Sequence, residues 1–230
     1  MANARVKLAY RFVPGIWLTY NSAMTAIHVT AAGNSSEQKI TETAFEIRQL
    51  VAHVDADGTA VVNITIVQPE GTPEGTPPPR PIQVRMSPTG ELLDCSIDLP
   101  TRLPRFPASE VEVGQTWEQT VPMSLPTLDA DGVPNGSQTE ALVYAYTLED
   151  IQRSSGGAQA LIEMTVREAK VPVGPGVQMS ISGRGQMRFD VEHGRLESSD
   201  VVTTTIATAE EGTVTTTVRI MTHLAETSES

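Results

Sequence analysis

The sequence has little cysteine, few aromatic residues and no long apolar run. Cys95 is the single cysteine among 230 residues, which excludes an intrachain disulfide framework and a cysteine-rich metal site. Aromatic residues make up only 4% of the chain. The longest apolar runs span a few residues, well short of the roughly 18 that a membrane-spanning helix needs. We therefore expect no transmembrane segment.

Basic charge is also scarce. The chain has 28 acidic and 16 basic residues and a formal net charge of −12. Such a surface repels phosphate backbones, and no basic patch offsets it, so nucleic acid is not an expected partner. The first ten residues contain no apolar stretch of signal-peptide length. We expect a cell-envelope or exported protein if the sequence is a mature form, and a cytoplasmic one otherwise.

Threonine and the turn-forming residues are abundant. The 27 threonines lie with valine in strand-like runs, and 16 prolines and 17 glycines fall between those runs. Strong helix formers do not cluster at helical spacing, whereas β-branched residues pack well on a pleated surface. The composition predicts an all-β fold of antiparallel meanders, arranged as a curved sheet, a half-barrel or a sandwich.

Alternation of apolar and polar residues places the strands of the first half. Predicted strands cover residues 6–12, 17–29, 40–54, 60–67, 82–86 and 92–97. The Asp-Ala-Asp-Gly sequence at residues 55–58 predicts a hairpin turn, since glycine supplies the positive φ that tight turns need. Residues 68–81 hold two PEGT copies and three consecutive prolines, which indicates a stiff loop.

The second half of the chain resembles the first at an offset close to 100 residues. The matching segments are residues 15–17 and 114–117, 60–66 and 160–166, and 85–92 and 188–196. We interpret the pattern as two β repeats, since one meander alone leaves an apolar face unburied. The predicted divisions are residues 1–98, a proline-rich connector at 99–112, a second repeat at 113–200 and a hairpin at 201–226. We expect this C-terminal hairpin to close the sheet or form its edge.

No grouping of residues indicates catalysis. The four histidines, His28, His53, His193 and His223, have no metal-ligand spacing. Cys95 falls inside a predicted strand, where a small and partly buried hydrophobe is expected. A glycine-rich segment at residues 182–185 precedes a predicted strand, so no helix N-terminus is available there for phosphate. We predict no catalytic residue, cofactor site or metal site, and no enzyme activity.

Two features leave alternatives open. From Asp129, the acidic or amide residues Asp131, Asn135 and Glu140 fall at positions 3, 7 and 12 of an EF-hand-like loop. Position 6 of an EF-hand loop is glycine, whereas here it is Pro134. A polar hairpin loop is therefore favoured over a calcium site. Trp17 and Trp117 both follow a glycine turn. They are expected in the core, with a ligand cavity as the alternative.

Three segments carry a family resemblance. They are Y-R-F-V-P-G at residues 10–15, the stretch from F-P to V-G-Q-T-W at residues 106–117, and F-D-V-E-H-G-R-L at residues 189–196. In these motifs the chain resembles a loose group of uncharacterised bacterial β-rich domains, often exported or lipid-anchored. The resemblance implies an antiparallel fold like the curved half-barrels of lipoprotein carriers, and it supplies no catalytic residues.

The sequence supports two functional hypotheses. The first is a non-enzymatic structural or assembly subunit of a bacterial envelope or larger protein complex, with other copies or other subunits as partners. The alternative is a carrier for a lipid or other apolar small molecule. The eight methionines and the aliphatic strand faces favour that alternative, because flexible side chains suit an adaptable pocket.

Overall fold

A computed structural model describes residues 4–67, 81–95, 103–129, 133–154 and 157–229. Within these ranges all regular elements are β-strands, which confirms the all-β prediction. No helix in the described part of the chain is long and apolar enough to cross a membrane. The predicted loop at residues 68–81, except its last residue, lies outside the described ranges, as do residues 99–102 of the connector and Asp131.

The strands are long, and several exceed 15 residues. They are β1 (Arg5–Val6), β2 (Ile16–Ala32), β3 (Ser35–Val54), β4 (Ala60–Val67), β5 (Ile82–Met86), β6 (Leu92–Cys95), β7 (Val111–Glu112), β8 (Thr116–Leu128), β9 (Pro134–Ser154), β10 (Gly157–Gly174), β11 (Val177–Asp190), β12 (Arg195–Ala209) and β13 (Gly212–Glu229). The segment at residues 182–185, predicted to precede a strand, lies within β11.

In the described residues, eleven strands form one open antiparallel sheet in the order β6-β5-β4-β3-β2-β13-β12-β11-β10-β9-β8. Each half is a five-stranded meander, β2 to β6 and β8 to β12. The C-terminal hairpin of β12 and β13 is present, but its expected position at an edge was wrong. Strand β13 pairs with β12 on one side and β2 on the other, so it joins the two meanders in the middle of the sheet.

Matching β-bulges show that the two meanders share their register. Ala52 is the extra residue of β3 against β4, and Glu149 is the extra residue of β9 against β10. Leu93 of β6 and Glu197 of β12 are the extra residues opposite β5 and β11. A bulge bends its strand and increases its twist. Equivalent bulges therefore give both halves the same local shape.

The entrance to each meander is also equivalent. The Gly15 N–H donates to the carbonyl of Val51 at 2.9 Å, and the Gly114 N–H donates to the carbonyl of Leu148 at 2.7 Å. Both glycines have positive φ, 82° and 86°, a conformation that other residues rarely adopt. The structure thus reproduces the repeat that the sequence indicated.

The N-terminal segment is not the full strand that its alternation predicted. Only Arg5 and Val6 form a ladder, with β7. Beyond them, the Tyr10 N–H donates to the Pro88 carbonyl at 2.7 Å, and the Arg11 N–H donates to the Gly194 carbonyl at 3.0 Å. These carbonyls belong to the β5–β6 and β11–β12 turns, so the segment connects the two halves at one end of the sheet.

Two apolar clusters fill the interior. One is built around β8 to β12 with the N-terminal segment and the connector, and the other around β2 to β5. Phe12 and Leu92 pack against both clusters. In the first cluster, the ring of Phe106 from the connector contacts the rings of Tyr10 and Phe189, with centroids 5.2 and 4.7 Å away. The connector therefore belongs to the core.

Candidate ligand cavity

A cavity of about 350 Å³ lies between the sheet and the connector. Small-molecule sites usually measure roughly 300–1,000 Å³, so its size suits a small ligand. The side chains that line it are Tyr20, Ile47, Gln49, Leu103, Pro104, Val121, Pro122, Met123, Ser124, Tyr144, Tyr146, Met164, Met187, Leu196, Ser199, Val201, Thr203, Ile220 and Thr222. None of these residues carries a charge.

The lining shows that the sheet is curved. Ile47 of β3 and Val121 of β8 border the same cavity, although seven strand spacings separate β3 from β8 in the sheet order. In a flat sheet that separation is about 30 Å or more, since neighbouring strands lie about 4.8 Å apart. The sheet must therefore bend so that β3 and β8 approach each other. Of the three expected arrangements, the structure has the curved sheet.

A second cavity of about 210 Å³ adjoins the first. Four residues line both cavities: Tyr20, Gln49, Leu103 and Leu196. The second cavity lies beside the N-terminal segment and the β11–β12 turn. Its lining includes three basic side chains, Arg11, His193 and Arg195, and no acidic residue among those described. The two cavities thus differ in charge although they are neighbours.

Hydrogen bonds fix the turn beside the second cavity. Asp190 is buried, and its Oδ1 accepts the backbone N–H groups of Glu192 and His193 at 3.0 and 2.9 Å. Its Oδ2 lies 2.6 Å from Nδ1 of His193. Burial raises the pKa of Asp190. The hydrogen bonds from His193 and the positive charges nearby lower it by a larger amount, so the pKa lies below its ordinary value.

Arg195 is held at the start of β12 with part of its guanidinium unpaired. Its Nη1 donates to Oγ1 of Thr227 at 2.9 Å. Its Nε is buried without a hydrogen-bond partner in the described structure, and Oδ2 of Asp190 lies 3.9 Å away, which is too far for a hydrogen bond. This N–H group therefore donates no hydrogen bond within the described structure.

Two tyrosines of the first cavity remain neutral in the folded protein. Burial raises the pKa of Tyr20 far above its ordinary value, and the positive charge of Arg195 lowers it only in part. Burial, followed by the nearby Tyr144, raises the pKa of Tyr146. A phenol with its ordinary pKa of about 10 is already neutral at pH 7, and the upward shifts extend that neutral state to more alkaline pH.

Comparison with known proteins yields structural likenesses and no sequence family. No family model and no curated protein matches the chain. The fold is similar to a solved structure of lipovitellin, described as a study of lipid–protein interactions, with a TM-score of 0.48 and 11% sequence identity. The match covers 96% of this chain and 26% of that chain, so the chain spans about a quarter of the length of the protein it resembles.

The four histidines lie at separate places in the structure. His28 contacts Oγ1 of Thr216 through Nδ1 at 3.1 Å, and His53 lies 3.2 Å from a carboxylate oxygen of Asp55. His193 lines the second cavity, and His223 pairs with Asn21 in the sheet. Within the described residues, no group of three or more His, Cys, Asp or Glu side chains could hold a metal ion.

The calcium alternative stays a prediction, because Asp131 lies outside the described residues. Two other members of that loop make local contacts. Oδ1 of Asp129 accepts the backbone N–H of Val133 at 2.9 Å, and Oδ1 of Asn135 accepts the hydroxyl of Thr127 at 2.9 Å. Glu140 pairs with Met123 in the β8–β9 ladder.

The tryptophans and Cys95 do not line either cavity. Trp117 stacks on Tyr146 with ring centroids 5.7 Å apart, and its indole N–H donates to the Arg105 carbonyl at 2.8 Å. Trp17 is half-buried in β2. Cys95 is half-buried and packs against the first-half cluster, as its sequence position predicted. Trp117 therefore packs against the core, as the sequence predicted, and does not line a cavity.

Proposed function

We propose that this protein is a carrier for a lipid or other apolar small molecule. The observation that supports the proposal is the cavity of about 350 Å³ whose side chains carry no charge. Each methylene group transferred from water into such a site gains about 0.8 kcal/mol. A hydrocarbon ligand therefore gains affinity along its whole length without burying a protein charge.

The side chains at the cavity wall suit an adaptable fit. Met123, Met164 and Met187 come from three different strands and border the same space. Methionine has three rotatable bonds and a polarizable sulfur, so it adjusts to ligands of different shape. Hydroxyl groups of Ser199, Thr203 and other lining residues supply only weak polar contacts. The wall therefore favours apolar ligands without selecting one shape.

The connector supplies a cover. Leu103 and Pro104 line the cavity although they belong to neither meander. Phe106 holds this segment in place, because its N–H donates to the Thr89 carbonyl at 2.7 Å and its ring packs on Phe189. An apolar ligand would lie between the concave face of the sheet and this segment.

A fluorescence titration with N-phenyl-1-naphthylamine, a neutral apolar probe, tests the proposal. Ser199 lines the cavity, whereas its neighbour Ser198 lies on the opposite face of β12. We expect Ser199→Phe to fill the cavity and reduce probe affinity about tenfold or more, since the loss of two buried methylene contacts already gives that change. The matched control Ser198→Phe should bind like the wild type.

The outcome is informative in both directions. Equal loss of binding in Ser198→Phe and Ser199→Phe would point to general damage to the fold, which thermal unfolding of both variants detects. Wild-type binding in a folded Ser199→Phe variant would place the probe elsewhere and contradict the proposal. Absence of probe binding in the wild type would contradict it as well.

A further inference from the structure

The two adjoining cavities have complementary properties. The first has no charged side chain, and the second has three basic side chains and no acidic one among the described residues. This concentration of basic side chains is unexpected in a chain with a net charge of −12, and Asp190 is the carboxylate that pairs with two of them, His193 and Arg195. A ligand that fits both cavities has an apolar part and a negatively charged end.

We propose that the second cavity binds the carboxylate of a long-chain fatty acid whose hydrocarbon chain occupies the first cavity. The inference rests on the proposed carrier function and specifies its ligand class. Tyr20, Gln49, Leu103 and Leu196 border both spaces, so a single chain can pass from one to the other. A fatty acid is the simplest amphiphile with one chain and one anionic group.

Arg195 is the main anion-binding group. Its guanidinium is fixed by the hydrogen bond to Thr227, and its buried Nε has no partner. The Arg195 side chain is 24% exposed and borders the second cavity, so a carboxylate approaches its guanidinium from the cavity side, whereas Nε itself is enclosed by protein atoms. Guanidinium groups match carboxylates geometrically and form charge-assisted hydrogen bonds with them.

The local charge balance remains favourable to an anion. Asp190 is the acidic group beside Arg195, at 3.9 Å from Nε. Its two oxygens already accept hydrogen bonds from the backbone of Glu192 and His193 and contact the His193 ring. Arg11, on the N-terminal segment, adds an exposed positive charge and forms no ion pair among the described residues. The second cavity is thus bordered by two arginines, Arg11 and Arg195, and the Asp190 carboxylate lies beside only the second of them.

The test compares three probes with the same sixteen-carbon chain: palmitate, hexadecanol and hexadecyltrimethylammonium. Each is titrated by displacement of N-phenyl-1-naphthylamine from the full chain. We expect palmitate to bind about tenfold more tightly than hexadecanol, because a hydrogen bond between charged groups contributes at least that factor. The cationic probe should bind most weakly of the three.

Variants separate the charge from the cavity. Arg195→Gln should reduce palmitate affinity about tenfold and leave hexadecanol unchanged. Arg11→Gln, at an exposed position that tolerates the change, should reduce palmitate affinity less. Arg188→Gln removes the same charge from an exposed position of β11 outside both cavities and should change neither affinity.

Distinct results overturn the inference and the carrier function. Equal binding of palmitate and hexadecanol, or palmitate binding that neither Arg195→Gln nor Arg11→Gln weakens, would refute the carboxylate site and leave the carrier intact. If neither palmitate nor hexadecanol displaces the probe, both proposals fail. If Arg195→Gln proves unfolded in a thermal scan, Arg11→Gln alone decides the question, since it loses the charge and keeps the backbone contact with Gly194.

Discussion

At the scale of single residues, Gly194 connects the second repeat to the N-terminal segment. Its φ is +62°, and a Cβ at this position would lie 2.5 Å from the Arg11 nitrogen and 2.7 Å from the Ala9 carbonyl oxygen. Glycine is thus needed for its backbone conformation and for its small size. The same contact explains why the Arg11 N–H can reach the Gly194 carbonyl.

We predict that Gly194→Ala lowers the free energy of unfolding by about 3 kcal/mol or more, because the strain of a positive φ alone costs about 1–3 kcal/mol and a backbone clash adds to it. Gly33→Ala is the matched control, since Gly33 has a φ of +56° and no atom within 4 Å of the added Cβ. Urea unfolding of both variants measures the difference. Equal destabilisation would show that the contact with the N-terminal segment is unimportant.

Asp190 makes the free energy of unfolding depend on pH. Its pKa in the folded protein lies below its ordinary value, so its ionised form stabilises the fold above the unfolded pKa of about 3.9. That contribution is lost as the pH falls through the lowered pKa. We predict that Asp190→Asn is less stable than the wild type at pH 7 and that the difference shrinks below about pH 4. Melting temperatures between pH 7 and pH 3 test this, and a constant difference would contradict it.

At the scale of elements, β8 is an edge strand that contains two prolines, Pro122 and Pro126. Proline has no N–H and is accepted in a strand only where it need not donate to a neighbour. Edges that lack donors resist pairing with other chains. The expectation of an assembly subunit stays a prediction, and this edge does not favour assembly by strand addition.

We predict that Pro126→Thr promotes self-association, because it restores an N–H and raises β propensity at the edge. Analytical ultracentrifugation over a range of concentrations measures the effect. Ser124→Thr on the same strand is the control, since it raises β propensity without adding a donor. A monomeric Pro126→Thr variant would show that the prolines do not protect this edge.

The element that sequence reasoning misplaced is β13. Its alternation and its turn predicted the hairpin with β12, because both partners are close in sequence. Its pairing with β2 joins residues about 200 positions apart, such as Ser22 and Thr222, whose hydroxyl oxygens lie 3.0 Å apart. No local pattern encodes a pairing of that range, so the central position of the hairpin emerged only from the structure.

At the scale of the whole molecule, Tyr10 couples the two halves. Its N–H binds the β5–β6 turn, and its ring lies 5.2 Å from Phe106 and 5.3 Å from Phe189. We predict that Tyr10→Ala costs about 3–5 kcal/mol, the usual range for removing a buried aromatic ring. Hydrogen exchange should accelerate in both turns together, since one segment holds them.

Tyr10→Phe is the control for that prediction, because it keeps the ring and removes only the hydroxyl bond to the Pro104 carbonyl at 3.3 Å. It should behave nearly like the wild type. Faster exchange in only one of the two turns of Tyr10→Ala would show that the halves are stabilised independently.

The fold was more predictable than the cavity. Strands and turns follow from local alternation and from glycine positions such as Gly58, where φ is +84°. The cavity depends on the curvature of the entire sheet and on side chains from the connector and eight strands. Met164 and Met187 look like ordinary core residues in the sequence, and Arg195 looks like part of a turn motif. Their common location could have been predicted only from information on which distant strands pair with each other.

The most direct test of the carrier function is native mass spectrometry after incubation of the purified chain with a total lipid extract and re-isolation by gel filtration. We predict one bound molecule per chain, released on denaturation, displaced by excess hexadecanol and absent from Ser199→Phe. A chain that emerges without a bound molecule, or an identical adduct on a folded Ser199→Phe variant, would contradict the claim that this cavity carries an apolar ligand.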